Sequence, residues 1–308
     1  MGSQRERYGI RSRIKCVYSS QSRMMLFKDR PYIIELLTPR QSDDDFEKKL
    51  ELFAHRYRRI LASDAIVSIC DNPLGNIHFT AMEVVGFLGL PLDPECTLLH
   101  LNSFHRKVDF DLFLRYAREK GLKHLLVVSG DGGPRLARLE PSELGLDTPT
   151  ATSVELLRYI EREHGGFFTC GVAFNQYEPL KEEREKLHRK LDAGARFIVT
   201  QPVIAADSHV EGLRIEGVPV FVGAWMSKHI DRLCECIGVK KPASADYDPD
   251  FNLARIHSRF PSWGIYLAQI GFKRPWESLL TRMPGAAGVG AAAGSPGAAG
   301  ASTGEAAS

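Results

Sequence analysis

From residue 32 onward, short apolar runs alternate with longer amphipathic segments. YIIELLTP (32–39) has the length and apolar content of a buried strand. DDDFEKKLELFAHRYRRILA (43–62) follows, with Phe46, Leu50, Phe53 and Tyr57 recurring at helical spacing. AIVSIC (65–70) predicts a strand and FTAMEVVGFLGL (79–90) a helix, and TLLHLNSF (97–104) with VDFDLFLRYAREKG (108–121) repeats the pair. HLLVVSGD (124–131) is the next strand, and SVELLRYIEREHG (153–165) is a helix closed by glycine. FFTCGVAF (167–174) precedes PLKEEREKLHRKLDAG (179–194), where Pro179 suits a helix start. FIVTQPVI (197–204) and VPVFVGAWM (218–226) are strands six and seven, and KHIDRLCECIG (228–238) is a helix. A helical stretch near 250–258 precedes GIYLAQIG (264–271), the candidate eighth strand.

Strict β-α alternation leaves an open doubly wound sheet or a closed (β/α)8 TIM barrel. A dinucleotide-binding sheet would carry GxGxxG after its first strand, where this chain reads TPRQSDDD. The α/β reading is therefore a TIM barrel over 31–283. Residues 1–30 hold eight Lys or Arg against two acids and read as a basic N-terminal arm of a cytoplasmic protein, with an organelle-import segment as the alternative. Residues 284–308 are almost all Gly, Ala and Ser, which predicts a disordered tail.

A net charge of +2 over 308 residues gives no reason to expect a nucleic-acid partner, and no apolar run approaches a membrane span. The six cysteines form no CxxC pair, which argues against a metal site and for free thiols in a reducing compartment. A homo-oligomer or a partner subunit is compatible with this composition.

In a TIM barrel, catalytic groups stand at the carboxyl ends of the strands. Here those ends read Glu35, Cys70-Asp71-Asn72, His100 and Asn102, Ser129-Gly130-Asp131-Gly132, Phe174-Asn175-Gln176 and Thr200-Gln201. Glu35, inside an apolar strand, is either a structural carboxylate paired with a buried Arg or a general acid whose pKa burial has raised. His100 is either a hydrogen-bonded core histidine or a ligand-facing group. Asp131 is either a turn aspartate bonding its own backbone or a group set against a cofactor by a glycine-rich loop. Arg189 and Lys190 end a helix, where cations favour the macrodipole whether or not they bind a ligand.

Five stretches in order resemble the catalytic barrel of the methylenetetrahydrofolate reductase family: YIIELLTPR, LLHLNSF, VVSGDGGP, GVAFNQYEP and HRKLDAGARFIVTQP. The last is the most specific, matching a Lys-Asp-Ala-Gly-Ala…Thr-Gln segment. The resemblance implies a flavoprotein that passes a hydride from NADH or NADPH through FAD to methylenetetrahydrofolate, giving 5-methyltetrahydrofolate. It implies Glu35 as the acid that opens the folate ring, Asp131 near flavin and pterin, and Gln201 against folate and nicotinamide. FAD would meet Cys70, His100, Ser129, Gly130, Phe174, Glu178, Arg189 and Lys190.

Several positions depart from the family pattern. Ser129 replaces an Arg, Phe174 a Tyr, Cys70 a Thr and Glu178 a His, and Asn175-Gln176 replaces Pro-Glu. Most of these fall on the FAD side, whereas Glu35, Asp131 and Gln201 are kept. They motivate the alternatives of a non-catalytic or partner-dependent folate-binding subunit and of a flavin-free methyl-transfer protein. A further alternative is a lyase using Lys190 as a Schiff-base amine.

Overall fold

The computed structural model describes residues 32–63, 65–204, 207–238, 247–273 and 276–280. The basic arm (1–30) and the Gly/Ala-rich tail (284–308) lie outside them. Eight strands close into one barrel in sequence order: β1 (Tyr32–Leu36), β2 (Ala65–Ile69), β3 (Thr97–Leu101), β4 (His124–Val127), β5 (Thr169–Phe174), β6 (Phe197–Pro202), β7 (Val220–Trp225) and β8 (Gly264–Ala268). Every neighbouring pair is parallel, including the closing pair, where Ile33 stands beside Tyr266. The outer layer is α1 (Phe46–Leu61), α2 (Ala81–Phe87), α3 (Lys107–Glu119), α4 (Ser153–His164), α5 (Leu180–Asp192), α6 (Ser208–Glu211), α7 (Ile230–Ile237), α8 (Pro249–Arg259) and α9 (Glu277–Leu280).

The expected barrel and all eight strands are present. Strands stop earlier than their apolar runs: β1 ends at Leu36, before Pro39, which has no N–H to give a ladder. Two helices, α6 and α9, were not expected. α6 is a single turn, capped by the Asp207 carboxylate accepting from the His209 and Val210 amides. No described helix is long and apolar enough to cross a membrane.

Two apolar layers hold the fold. Between strands and helices, Ile34, Leu36, Val67, Leu99, Val127, Val172 and Phe174 pack against α1 residues such as Leu50, Phe53 and Tyr57 and their counterparts on the other helices. Inside the barrel, Ile33, Ile66, Leu98, Leu126, Phe197, Phe221 and Tyr266 form a second cluster. Successive side chains on a strand alternate between these layers.

The interior layer depends on two large rings filling space beside two glycines. A Cβ on Gly171 of β5 would lie 2.1 Å from the Phe197 ring, and one on Gly264 of β8 would lie 2.3 Å from Phe221. The two rings meet edge to face at 5.9 Å. Phe197 is fully buried, so it cannot swing aside. Gly171→Ala should therefore destabilise the barrel by about 1–3 kcal/mol through overpacking, read as a lower midpoint in urea denaturation.

Candidate active site

Above the interior apolar layer, the next inward positions are polar: Glu35 on β1, Ser68 on β2 and His100 on β3, with the Tyr266 hydroxyl reaching up from β8. The Tyr266 hydroxyl donates to Glu35 Oε2 at 3.2 Å. It also lies 3.2 Å from His100 Nε2 and 3.4 Å from Ser68 Oγ, and Ser68 Oγ is 2.8 Å from His100 Nε2. Gln269, just past β8, donates weakly to Glu35 Oε1 at 3.4 Å. Its backbone is left-handed (φ 56), a conformation rare outside glycine, and the turn places its amide beside Glu35.

Burial sets the electrostatics of this cluster. It raises Glu35 above the ordinary carboxyl value, against the opposing hydrogen bonds from Tyr266 and Gln269. It lowers His100 to about 4, so the ring is neutral at physiological pH. Burial, and then the charge of Glu35, push the Cys70 thiol and the Tyr266 phenol well above their usual values, so both stay protonated. Among the described residues no cation pairs with Glu35; its partners are neutral groups. The structural-carboxylate alternative, which needed a buried Arg, is not what the fold contains.

Across the mouth, two glycine-bearing loops pack backbone to backbone. A Cβ on Gly133 would lie 2.2 Å from Gly75 O, and one on Gly75 would lie 2.3 Å from Gly132 O. Asp131 is exposed at the mouth, and its Oδ2 accepts from the Leu74 amide at 2.9 Å. Asp131 thus steadies a loop whose Asn72 and Leu74 are both left-handed. Gly130 (φ +82) backs onto Asn102. Ser129 ties the β3 and β4 ends together: its carbonyl accepts from Ser103 Oγ at 2.7 Å and its Oγ from the Ser153 amide at 3.4 Å. Beneath them His105 Nε2 meets Asp71 Oδ2 at 2.7 Å. Burial alone would lower His105, but the charge and hydrogen bond of Asp71 outweigh it and the net shift is upward.

The β5–α5 side differs from expectation. Phe174 is fully buried in the layer between strands and helices, not at the mouth, because Gly171 and Ala173 take the inward parity of β5. Lys190 turns inward: its Nζ donates to Ala173 O at 2.7 Å and lies 3.7 Å from Glu183 Oε1. Burial lowers its pKa, with Glu183 opposing. Arg189 is exposed, since consecutive helical residues do not share a face. Glu178 is exposed as well. Gln201 sits at a register shift between Val199 and Pro202, where Gly223 comes so close that a Cβ would lie 2.7 Å from Thr200 O. The Gln201 carbonyl accepts from Gln176 Nε2 at 2.8 Å.

The structure therefore brings Glu35, Cys70 and His100 together, sets Asp131, Ser129 and Gly130 across the same mouth with Gln201 at its β6 edge, and leaves Phe174, Glu178 and Arg189 outside. Sequence reading missed Ser68, Tyr266 and Gln269. A polar atom at the inward parity of an apolar strand is the signal that would have found Ser68 and Tyr266.

A cavity of about 450 Å³ opens beside Glu35 and Gln269, between α1, the Pro73–Leu74 turn and Trp225. That is within the range of small-molecule sites. A larger hollow of about 610 Å³ lies against α8, lined by Arg214, Asn252 and Trp263 among others, and includes none of the strand-end groups. Among the described residues no cluster of His, Cys, Asp and Glu could hold a metal ion.

The family model for methylenetetrahydrofolate reductase matches residues 30–214, more than half of the chain. A probable methylenetetrahydrofolate reductase (NADPH) of Caenorhabditis elegans is 29% identical over 124 residues, 38% of this chain and 18% of the relative. Methylenetetrahydrofolate reductase 2 of Saccharomyces cerevisiae is 28% identical over 122 residues, 37% of this chain and 20% of the relative. The matched stretch thus spans about a fifth of these curated relatives. Among solved structures, an uncharacterized protein from Clostridium thermocellum that binds two copies of 5-methyl-5,6,7,8-tetrahydrofolic acid superposes with a TM-score of 0.54 at 13% identity, covering 85% of this chain and 96% of its own. That likeness is one of fold. On the family match over the barrel's first six strands, the chain belongs to the methylenetetrahydrofolate reductase family.

Proposed function

We propose that the barrel mouth binds a reduced folate, and that Glu35 supplies the proton in reducing 5,10-methylenetetrahydrofolate to 5-methyltetrahydrofolate. The carrying observation is the desolvated Glu35 carboxyl, held by a phenol and an amide with no cation beside it. Such a group keeps its proton at higher pH than a solvated carboxyl, which suits a general acid. Proton transfer to a nitrogen of the bridging five-membered ring breaks one C–N bond and leaves an electrophilic iminium. Tyr266 orients the acid, and the neutral His100 leaves its proton undisturbed. Family membership supports the folate, as does the folate named for the structural neighbour.

Reduction also needs a hydride, which the family resemblance assigns to NADH or NADPH by way of FAD. When bound, FAD would relay that hydride to the iminium carbon. Asp131, expected near flavin and pterin, and Gln201, expected against folate and nicotinamide, stand at the mouth. The diphosphate side does not fit: Lys190 is engaged with Ala173 and Glu183, Arg189 faces solvent, Phe174 is sealed in the core, and Glu178 adds negative charge. That mismatch favours a second reading, a folate-binding barrel that draws electrons from a partner or works without flavin.

The pH dependence of stability follows from the same burial. Glu35, raised from 4.5, keeps a proton in the fold that the unfolded chain has released, so stability falls as pH rises through its raised value. His100 has the opposite sign. Its folded value of about 4, against 6.5, gives a contribution that is full above pH 6.5 and lost as pH falls toward 4. His124, also lowered to about 4 by burial, acts in the same window.

Glu35→Gln should still bind 5-methyltetrahydrofolate by calorimetry but lose methylenetetrahydrofolate reduction by about 10²–10⁴-fold, read as NAD(P)H oxidation; full turnover in the variant would remove Glu35 as the acid. An absorption spectrum before and after anaerobic NADH separates the two readings, since a colourless protein that binds folate and takes up no FAD is the second. His100→Gln should shrink, without abolishing, the acid-side stability loss between pH 6.5 and about 4, measured by chemical denaturation across that range.

A further inference from the structure

We propose that the hollow against α8 binds a nucleoside diphosphate, outside the barrel mouth and independently of the folate reading above. It encloses about 610 Å³, room for a small molecule, and none of the polar strand-end groups line it.

The hollow follows from a shortened connection. β6 and β7 are joined through α6, a single turn, where a barrel ordinarily lays a helix of several turns. The outer layer is thin there. Glu211 and Arg214 of the α6 segment line one side of the hollow, and α8 lines the other. Asn252, Arg255, Ile256 and Arg259 of α8 stand at the spacing that makes one helical face. That stripe is about 10 Å long at 1.5 Å per residue.

The charge of the lining is one-sided. Arg214, Arg255 and Arg259 gather on the hollow with a single carboxylate, Glu211, which is spent on Arg259. Arg214 and Arg255 are exposed, and among the described residues neither meets a carboxylate. Arg255 lies 6.0 Å over the Phe251 ring, a contact that positions its guanidinium and leaves the charge in place. Two uncompensated cations on one concave surface focus a positive potential there and draw an anion.

The other lining groups narrow the class. Asn252 is only 4% exposed, and its amide nitrogen donates to Val203 O at 2.8 Å and to the Tyr247 hydroxyl at 3.1 Å. The Val203 carbonyl can only accept, which fixes the amide's orientation. Among the described residues no donor meets Asn252 Oδ1, so that oxygen asks for an N–H or O–H group. Trp263, half-buried at the hollow, is backed by the Phe260 ring at 5.0 Å and 24°. It offers a flat surface of the kind on which a base stacks. Guanidinium forks fit phosphate oxygens. A base joined to ribose and diphosphate supplies the ring, the donors and the anion together. Bare phosphate supplies only the anion, and a nucleoside lacks it.

Calorimetry on the full chain tests this with three probes: ADP, adenosine and pyrophosphate. The wild type should bind ADP about tenfold or more tighter than either fragment, the scale of a charged hydrogen bond or a stacked base. Arg214→Gln and Arg255→Gln, both at exposed positions, should each weaken ADP about tenfold and leave adenosine unchanged. Trp263→Leu should weaken ADP and adenosine together and leave pyrophosphate unchanged. A wild type that binds no ADP would overturn the proposal. ADP affinity that survives both arginine substitutions would overturn it too, by placing the nucleotide elsewhere on the chain. Pyrophosphate held as tightly as ADP would reduce the hollow to an anion site and remove the nucleoside. Binding of 5-methyltetrahydrofolate, measured on the same arginine variants, should match the wild type; its loss along with ADP would overturn the separateness of the two sites.

Discussion

The β1–β8 seam creates the environment of Glu35. The two strands are some two hundred residues apart in sequence and meet only because the barrel closes, setting Ile33 beside Tyr266 in register. That register carries the Tyr266 hydroxyl to Glu35 Oε2. A carboxyl withdrawn from water needs hydrogen-bond donors, and the nature of the donor decides its charge. An arginine at the same place would hold Glu35 ionised; a phenol and an amide satisfy its oxygens and leave burial as the dominant effect. Closure of the sheet is thus what brings Glu35 its phenol partner. Below the site, Gly264 of β8 packs directly against the Phe221 ring of β7.

Much of this was legible in the chain. A buried parallel strand is apolar on both faces, so a lone carboxylate in YIIELL stood out against its surroundings. Tyr266 did not, because an aromatic residue suits a core strand and its hydroxyl partner lies on a strand with no sequence proximity. Phe174 illustrates a different limit. It ends an apolar run just before polar residues, but the twofold alternation of β5 points it outward, a distinction of one residue in register. Arg189 and Lys190 adjoin in sequence and diverge in space for the same kind of reason, about 100° of helical rotation. Asp131 does not bond its own turn, as one reading of SGDGGP expected; it accepts from the Leu74 amide of a neighbouring loop and is exposed at the mouth.

The two halves of the mouth use their polar groups differently. On the β3–β5 side these groups are mostly spent within the protein: Asp71 on His105, Ser129 on Ser103, Lys190 on Ala173 and Glu183, with Gln176 Oε1 left over. On the β1–α1 side Arg56 Nε, Thr38 Oγ1 and His78 Nε2 have no partner, beside a cavity walled by exposed leucines. A fold gains nothing from leaving buried donors and acceptors unpaired, because each forfeits its hydration without compensation. The same half contains the desolvated acid. Of the departures from the family pattern, Ser129, Phe174 and Gln176 fall on the satisfied half, while Cys70 stands beside Glu35. The buried acid therefore stands on the half of the mouth whose polar groups the protein itself leaves unpaired.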